Sequence, residues 1–446
     1  MLNVKNPPDD NGAVWRFMVF LALIFLSQGL GGGGGVISQP LVYYLKEAVH
    51  WQPDEVTKFL SVLVIPWIIK PLYGLLSDYV PLFGLRRKPY LFIANALAVL
   101  AALWMTGLTS PSIIIAALFI SAIGMAASST ITEAVLVENG TRWGMTGRFL
   151  NQQWLWINLA SIIAALVGGW LAQSFAPAHA FHTAAFIAAA APIGVLVTVW
   201  FLVDEQRSGP GVPTTLPESE VETESPSGDA LGSVTHAFKS NVWIVGGFLF
   251  ITTVIPSFGT PLFYHMVDDL KFDQRFIGIL GAIGSVGSVV GALVYAKLAK
   301  RYNLAMLMYI SIVASAIGTA AYLLLLGHIS AIVLSFFNGI IGMVGLVASL
   351  TVAAHAVPQR SAGFAFAALM SVNNLAGQLA SNFGAFLFVH AFHNQLSPLI
   401  WVSAIATGAS LALVPLLKLG EDRGDSLRRA APAVHPALAM EMRRSR

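Results

Sequence analysis

Long apolar runs separated by short polar turns cover almost the whole chain. A helix that crosses a bilayer needs about 20 apolar residues, and the pattern predicts twelve helices of this kind. Their predicted ranges are 14–45, 56–79, 89–108, 111–138, 148–175, 180–203, 241–267, 274–299, 303–327, 329–355, 361–392 and 396–419. The pattern therefore predicts an all-α polytopic membrane protein.

Composition agrees with this prediction and excludes several functions. Of 446 residues, 56% are hydrophobic and 11% are charged, and the mean hydropathy is +0.72. The basic residues lie at the ends of apolar runs rather than on one face, which excludes nucleic acid as a partner. The sequence has no cysteine, which excludes disulfides, thiolate metal sites and a cysteine nucleophile. The first apolar run lacks a small-residue cleavage site, so it is expected to be a retained helix rather than a signal peptide.

Basic residues are divided unevenly between the two sets of alternating loops. If the N-terminus is cytoplasmic, the outer loops hold only Lys46, Lys58, Lys271 and Arg275, each near an acidic residue. The inner loops and the C-terminal tail hold Arg86, Arg87, Lys88, Arg142, Arg148, Lys297, Lys300, Arg301, Arg360, Lys418, Arg423, Arg428 and Arg429. Because basic loops stay on the cytoplasmic side, both termini are expected in the cytoplasm. The expected location is the plasma (inner) membrane.

A polar segment rich in Pro, Ser, Gly and Glu divides the chain into two halves of six helices. It predicts an N-terminal bundle over 1–203, a cytoplasmic linker over 204–240 and a C-terminal bundle over 241–420. Residues 421–446 are expected to form a disordered basic tail, which contacts anionic lipid or, alternatively, binds a partner.

The two halves align with each other. "PLVYYLKE" at Pro40 matches "PLFYHMVD" at Pro261, and this offset sets the run of glycines from Gly31 to Gly35 against "TTVIP", Thr252 to Pro256. Paired interruptions in equivalent helices point to the binding site of a transporter, so the first and seventh helices are expected to bend and line a cavity. The alternative is that the glycines only allow close packing, as expected for the glycines of the eighth helix.

Several motifs resemble those of known transporters. "GLLSDYVPLFGLRRKPY" resembles the gate motif of the major facilitator superfamily, and its long spacer together with the preceding "IPWIIKP" is similar to the folate-biopterin transporter family. "ITEAVLVE", "PSFGTPLFYHM" and "ALMSVNNLAGQLASNFGAFL" extend the similarity over residues 25–400. The resemblance implies two pseudo-symmetric six-helix bundles, and a gating role for Asp78, Arg86 and Arg87, with which we group Arg148. The family commonly has aspartate where this chain has Glu133.

Two charged residues of opposite sign lie at similar depth in the membrane. Lys70 precedes Asp78, at the cytoplasmic end of the second helix, by eight residues or about 12 Å of helix. Glu133 lies at a similar distance from the cytoplasmic end of the fourth helix. An unpaired charge near mid-bilayer costs on the order of 3 kcal/mol. We expect the two to face the central cavity and to exchange partners when substrate or a proton arrives, with Glu133 as the coupling group. The alternative is a permanent structural ion pair.

Other polar side chains inside the predicted helices are candidates for substrate binding. The eleventh helix places Ser371, Asn374, Gln378 and Asn382 on one face, which binds substrate or bonds neighbouring helices. The candidates in other helices are Gln28, Gln39, Asn158 and Tyr264.

These features predict a secondary active transporter that takes up folate, a pterin or a related organic anion with protons. The alternatives are a transporter of different cargo or direction, such as a drug exporter or an importer of cell-wall fragments, and a non-transporting membrane sensor. No Walker motif, metal-spaced histidine cluster or Gly-x-Ser-x-Gly motif occurs, so neither an enzyme nor a cofactor or metal site is expected. The expected partners are a small-molecule substrate, protons and the lipid bilayer, and the expected state is a monomer.

Overall fold

The computed structural model describes residues 11–31, 35–202, 242–356 and 362–417. These residues form twelve spans, numbered here in chain order. Spans 1 to 6 are Asn11–Gly31 with Ser38–Glu47, Pro53–Tyr79, Lys88–Met105, Pro111–Trp143, Thr146–Ser174 and Pro177–Leu202. Spans 7 to 12 are Val242–Thr253 with Gly259–Asp268, Gln274–Ala299, Leu304–Leu324, His328–Ala356, Ala362–Ala391 and Leu396–Leu417. The prediction of twelve transmembrane helices is confirmed.

Ten of the twelve spans contain a described helix that is long and apolar enough to cross a membrane. The other two are span 7, which is interrupted, and span 11, which carries a row of Ser, Asn and Gln side chains. The predicted linker over 204–240 and the tail over 421–446 lie outside the described residues.

Span 1 is interrupted at the run of glycines. The first helix ends at Gly31 and the second begins at Ser38, while the N–H of Val36 donates to the carbonyl of Leu30 at 2.8 Å. That bond joins residues six apart, whereas the hydrogen bonds of an α-helix join residues four apart. A Cβ on Gly35 would lie 2.1 Å from the Leu30 carbonyl oxygen, so only glycine fits there.

Span 7 is interrupted at the aligned position, between Thr253 and Gly259. The free backbone groups find partners in neighbouring spans. The N–H of Ser257 donates to the carbonyl of Ala380 at 2.9 Å, and the carbonyl of Pro256 accepts from the Ser403 hydroxyl at 2.6 Å. Irregular backbone at membrane depth requires such partners, and both interruptions occur where the internal repeat predicts them.

Span 2, which the apolar pattern predicts as one continuous helix, is divided in the structure. Its segments are Pro53–Ser61, the 3₁₀ turn Val62–Val64, Ile65–Ile68 and Lys70–Tyr79. Ile69 leaves helical geometry with ψ 12°. Pro71 contributes to this break, because it has no N–H to continue the hydrogen bonding of the preceding helix and it lies in the first turn of the next one, where proline is tolerated.

The first six spans and the last six form two bundles. Each bundle has an apolar cluster of its own, and a further cluster of the first bundle also includes Tyr264 of span 7. The bundles meet through span 2 against span 11 and span 5 against span 8. Spans 5 and 8 touch at Gly169 and Gly278, where a Cβ on Gly278 would lie 2.8 Å from the Gly169 Cα. We use the name closed face for the end of the molecule that carries Glu47, Pro53, Asp268 and Gln274, because the contacts between the bundles are concentrated there.

Candidate functional site

Lys70 of span 2 and Glu133 of span 4 form an ion pair inside the first bundle. The Lys70 Nζ lies 3.2 Å and 3.4 Å from the two carboxylate oxygens of Glu133 and 3.3 Å from the Ser129 hydroxyl. Ser129 in turn donates to the Glu133 Oε1 at 3.0 Å. The Lys70 side chain is 19% exposed and that of Glu133 is 41% exposed. The pair is therefore accessible from one side rather than enclosed in the bundle core.

The break at Ile69 determines where Lys70 lies. Lys70 is the first residue of the helix Lys70–Tyr79, so its ammonium group is near the positive end of that helix dipole. A cation is unfavourable there, and the nearby Glu133 carboxylate compensates for it. The Trp67 ring centre lies 5.4 Å from the Lys70 Nζ, which adds a cation–π contact.

Spans 2 and 11 run antiparallel and are joined by a series of hydrogen bonds that we call the polar ladder. From the closed face inward, its contacts are Asp54 with His390 at 3.4 Å, Ser61 with Asn382 at 2.9 Å, Ser61 with Gln378 at 2.8 Å and the Ile68 carbonyl with Ser371 at 2.6 Å. Asp54 and Ile68 are separated by about 21 Å of helix. The ladder ends two residues before Lys70.

A second group of contacts joins the bundles at the closed face. The Lys46 Nζ lies 2.7 Å from both Glu47 and Asp268, so it links span 1 to span 7. The Tyr264 hydroxyl donates to the carbonyl of Trp51, and Lys46 lies 5.3 Å from the Tyr264 ring centre. These contacts close this end of the interface in the structure.

Spans 1, 5 and 8 meet through glutamines. The Gln39 Nε2 donates to the carbonyl of Gln274 at 2.6 Å and to its side-chain oxygen at 3.0 Å. The N–H of Gln274 donates to the Gln173 side-chain oxygen at 2.9 Å. Every described hydrogen bond or ion pair between the bundles lies between the closed face and the level of Ile68.

The structure separates the predicted substrate-binding residues into three groups. Lys70 and Glu133 pair with each other, whereas Gln39, Tyr264 and Gln378 contact the opposite bundle. The remaining three lie apart from these contacts. The Gln28 side chain is buried, and its Nε2 has no partner among the described residues. Asn158 donates to the Trp154 carbonyl of its own helix. Asn374 is half-buried in span 11.

The predicted gating residues lie at the opposite end of span 2. Arg87 donates to the Ser77 hydroxyl and to Glu138 of span 4, both at 2.6 Å. Arg86 is buried, and Arg148 is exposed in the first turn of span 5. The side chain of Asp78 lies outside the described part of the chain. Arg86 and Arg87 follow a tight turn in which Phe83 and Gly84 have φ of 56° and 76°, which accommodates the long spacer of the motif.

Within the described residues, no group of His, Cys, Asp and Glu side chains is arranged to hold a metal ion.

A comparison with known families covers most of the chain, since residues 28–425 match the BT1 family. The chain belongs to the BT1 family. It is 25% identical to a folate-biopterin transporter of Synechocystis sp. over 433 residues, which cover 92% of this chain and 83% of that one. It is 29% identical to probable folate-biopterin transporter 2 of Arabidopsis thaliana over 64% of this chain, and 24% identical to folate transporter 1 of Plasmodium falciparum over 61%. The match spans only 56% and 52% of those two relatives.

Solved structures of transporters share the fold of this BT1 family member. A D-xylose-proton symporter aligns with a TM-score of 0.68 at 15% identity, over 91% of this chain and 98% of the other. The nucleoside transporter NupG aligns with a TM-score of 0.65 at 16% identity, over 92% and 99%. The chain is thus a multi-pass integral membrane protein with the major facilitator fold. Both the family resemblance and the fold predicted from the sequence are confirmed.

Several residues that join the bundles were not predicted as site residues from the sequence. The side chains of this kind in acid–base contacts are Lys46, Asp268, Asp54 and His390, and the polar ones include Ser61, Gln173 and Gln274. The internal repeat held a signal for the first pair, because it aligns Lys46 and Glu47 with Val267 and Asp268 at the ends of equivalent helices. No comparable signal pairs Asp54 with His390, because they are 336 residues apart in the chain.

Proposed function

We propose that this protein is a secondary active transporter that takes up folate, a pterin or a related organic anion together with protons. Membership of the BT1 family and relatives that carry the name folate-biopterin transporter support a transporter rather than an enzyme. The two-bundle fold supports alternating access, in which the bundles rock about a central site. The observation that carries the proposal is the Lys70–Glu133 pair immediately beyond the end of the polar ladder.

The chemistry of the pair suits both parts of a folate molecule. A carboxylate such as that of Glu133 accepts hydrogen bonds from the amino and ring N–H groups of a pterin, and the Lys70 ammonium group binds a substrate carboxylate. The ring of Trp67 provides a flat apolar surface near the Lys70 ammonium group. Gln28, Asn158 and Asn374 are additional polar groups that substrate contacts during the cycle.

The pair also accounts for proton coupling. While Glu133 is ionised, it holds Lys70 at 3.2 Å. A proton on Glu133 removes that attraction and frees the ammonium group for an anionic substrate, so proton and substrate bind together. If the pair is instead a permanent structural contact, a neutral residue in place of Glu133 changes stability but leaves the pH dependence of transport unaltered.

The orientation expected from the basic residues of the loops leads to a proposed conformation. With both termini in the cytoplasm, the closed face is extracellular, and the structure corresponds to an inward-facing conformation. We place the protein in the plasma (inner) membrane as a monomer, with the bundles over 1–203 and 241–420, the cytoplasmic linker over 204–240 and the tail over 421–446. Asp78, Arg86, Arg87 and Arg148 are assigned to the gate on the cytoplasmic side.

Uptake into proteoliposomes tests this function. Labelled folate and a labelled pterin are supplied separately, with and without a proton gradient directed inward. Accumulation that requires the gradient supports symport. Flux of neither compound, with flux of another solute, favours a transporter of different cargo, and gradient-driven loss of preloaded substrate favours an exporter. Saturable binding without any flux favours a sensor.

A further inference from the structure

Asp54 lies at the outermost contact of the polar ladder, between a lysine and a histidine. Its Oδ2 is 2.8 Å from the Lys58 Nζ and 3.4 Å from the His390 Nε2. The Asp54 side chain is only 7% exposed, whereas those of Lys58 and His390 are 63% and 50% exposed. A buried carboxylate therefore has two partners that solvent reaches directly.

The two partners belong to different bundles. Lys58 is one helical turn after Asp54 and moves with it. His390 lies in the π-helical turn Leu387–Ala391 at the end of span 11 and moves with the second bundle. When the closed face opens, we expect Asp54 to keep its contact with Lys58 and to lose its contact with His390.

The surrounding charged groups bond to partners of their own. Lys46 forms ion pairs with Glu47 and Asp268, and His265 lies 2.6 Å from Asp269. The Glu55 carboxylate accepts from the N–H of Gln52. His393 differs from these groups in that it is exposed, in the turn after span 11. His265 and Asp269 are four residues apart in one chain segment, so opening does not separate them. Two of the described contacts with an acid cross between the bundles here, Lys46 with Asp268 and His390 with Asp54. Of the two basic side chains, imidazole is the type that ordinarily changes charge between about pH 5 and pH 8.

Water has access to this region. A cavity of about 120 Å³ is lined by Pro53 of span 2, Asp268 of span 7 and Phe388 of span 11. Neither Asp54 nor His390 lines this cavity, but the His390 side chain is 50% exposed, so protons reach it from solvent while the face is closed.

We propose that Asp54 and His390 form a proton-binding site that holds the closed face shut. A protonated His390 attracts the Asp54 carboxylate, and this attraction exists only while the bundles are together. A proton that binds more tightly to the closed form must, by linkage, shift the equilibrium toward that form. Acid on this side favours closure, and a rise in pH through the range in which imidazole loses its charge favours opening. The inference rests on the proposed alternating access and is separate from coupling at Glu133.

Because the sequence has no cysteine, a single cysteine introduced at one position is the only thiol that an alkylating reagent can label. Thr57 is 3% exposed and lies on the same helix face as Asp54 and Ser61, so a Thr57→Cys variant reports opening of the closed face. Its alkylation rate is measured in detergent between about pH 5 and pH 8. Each rate is divided by that of the denatured protein at the same pH, which removes the intrinsic pH dependence of the thiol.

The corrected rate is expected to rise about fivefold from acid to alkaline pH. With His390→Gln added, the rise should disappear. His265→Gln is the matched control and should keep it, because His265 bonds within its own segment. Asp54→Asn should also abolish the rise and serves as a second test if His390→Gln does not fold.

The proposal is overturned if the corrected alkylation rate still rises with pH in both the His390→Gln and the Asp54→Asn backgrounds. It is also overturned if the corrected rate of the Thr57→Cys protein itself does not change with pH. The assay uses no substrate. A flat curve with normal folate uptake therefore overturns only the proton site, whereas a steep curve without folate or pterin uptake overturns only the proposed substrate.

Discussion

Ser61 of span 2 and Gln378 of span 11 lie at the middle of the interface between the bundles, where the Gln378 Nε2 donates to the Ser61 hydroxyl at 2.8 Å. The same hydroxyl donates to the Asn382 side-chain oxygen at 2.9 Å. One small side chain thus joins two amides of the other bundle. Gln378, a predicted substrate-binding residue, becomes available to substrate only when this contact breaks.

Replacing Ser61 with alanine should weaken closure. The Ser61→Ala variant leaves two amides short of partners, at a cost of about 1–3 kcal/mol. We expect a lower unfolding temperature in detergent and faster alkylation of a cysteine at position 57. Ser381→Ala is the matched control, because the Ser381 hydroxyl donates to the Gly377 carbonyl of its own helix. Equal effects of both variants would contradict the bridging role of Ser61.

Two adjacent carboxylates give a second comparison. Asp268 binds Lys46 of the other bundle, whereas Asp269 binds His265 of its own segment. Loss of about 1 kcal/mol corresponds to roughly a fivefold change in an equilibrium. Asp268→Asn should therefore open the closed face about fivefold more often, measured by alkylation at position 57, and Asp269→Asn should not. The contact between Lys46 and Asp268 has no part in closure if the two variants behave alike.

Replacing Glu133 with glutamine tests coupling at the charged pair. The Glu133→Gln variant keeps the shape of the side chain and one acceptor oxygen but can neither bind nor release a proton. Uptake driven by a proton gradient should fall at least about tenfold, which corresponds to about 1.4 kcal/mol, while exchange of labelled for unlabelled substrate persists. Unchanged uptake with an unchanged pH profile would remove the coupling role and leave a structural ion pair.

The same pair makes a prediction about stability. Glu133→Gln leaves the Lys70 charge without its counter-ion, which costs on the order of 3 kcal/mol near mid-bilayer and less where water reaches it. Adding Lys70→Met removes that charge, so the double variant should unfold at a higher temperature than Glu133→Gln alone. A lower unfolding temperature for the double variant would show that the two charges do not depend on each other.

Close contact between spans 5 and 8 should not tolerate a methyl group. A Cβ at position 278 would lie 2.4 Å from the Ala165 carbonyl oxygen, and overpacking of this kind costs about 1–3 kcal/mol. Gly278→Ala should push the bundles apart and reduce uptake at least about fivefold. Gly342→Ala in span 10 meets open space and should leave uptake unchanged. Full uptake by Gly278→Ala would show that close contact between spans 5 and 8 is not needed for transport.

Features encoded locally could be predicted from the sequence. The apolar runs gave the spans, and the alignment of the two halves gave the interruptions in spans 1 and 7. Lys70 and Glu133 were placed at similar depth because each lies a countable number of residues from a helix end, and the structure brings them together. The polar face of span 11 is predicted to bind substrate or to bond neighbouring helices, and in the structure it bonds to span 2.

Features that depend on how the bundles meet could not be predicted. Gln39 and Gln274 are 235 residues apart, and nothing in either local sequence identifies the other as its partner. For the same reason, Lys46 appeared to be compensated by the adjacent Glu47 alone. The division of span 2 had a local signal in Pro66 and Pro71, but an apolar run of full length outweighed it in the prediction.

The non-helical residue Ile69 divides span 2 into two parts with different attachments. Before it, the chain is bonded to the second bundle, and after it, Lys70 is bonded to span 4 of the first bundle. We expect the outer segment to swing about Ile69 while the charged pair stays in place. Proton binding at Glu133 and separation of the bundles are then expected to be two distinct events, and an inhibitor that holds the bundles apart is not expected to displace a substrate bound at the pair.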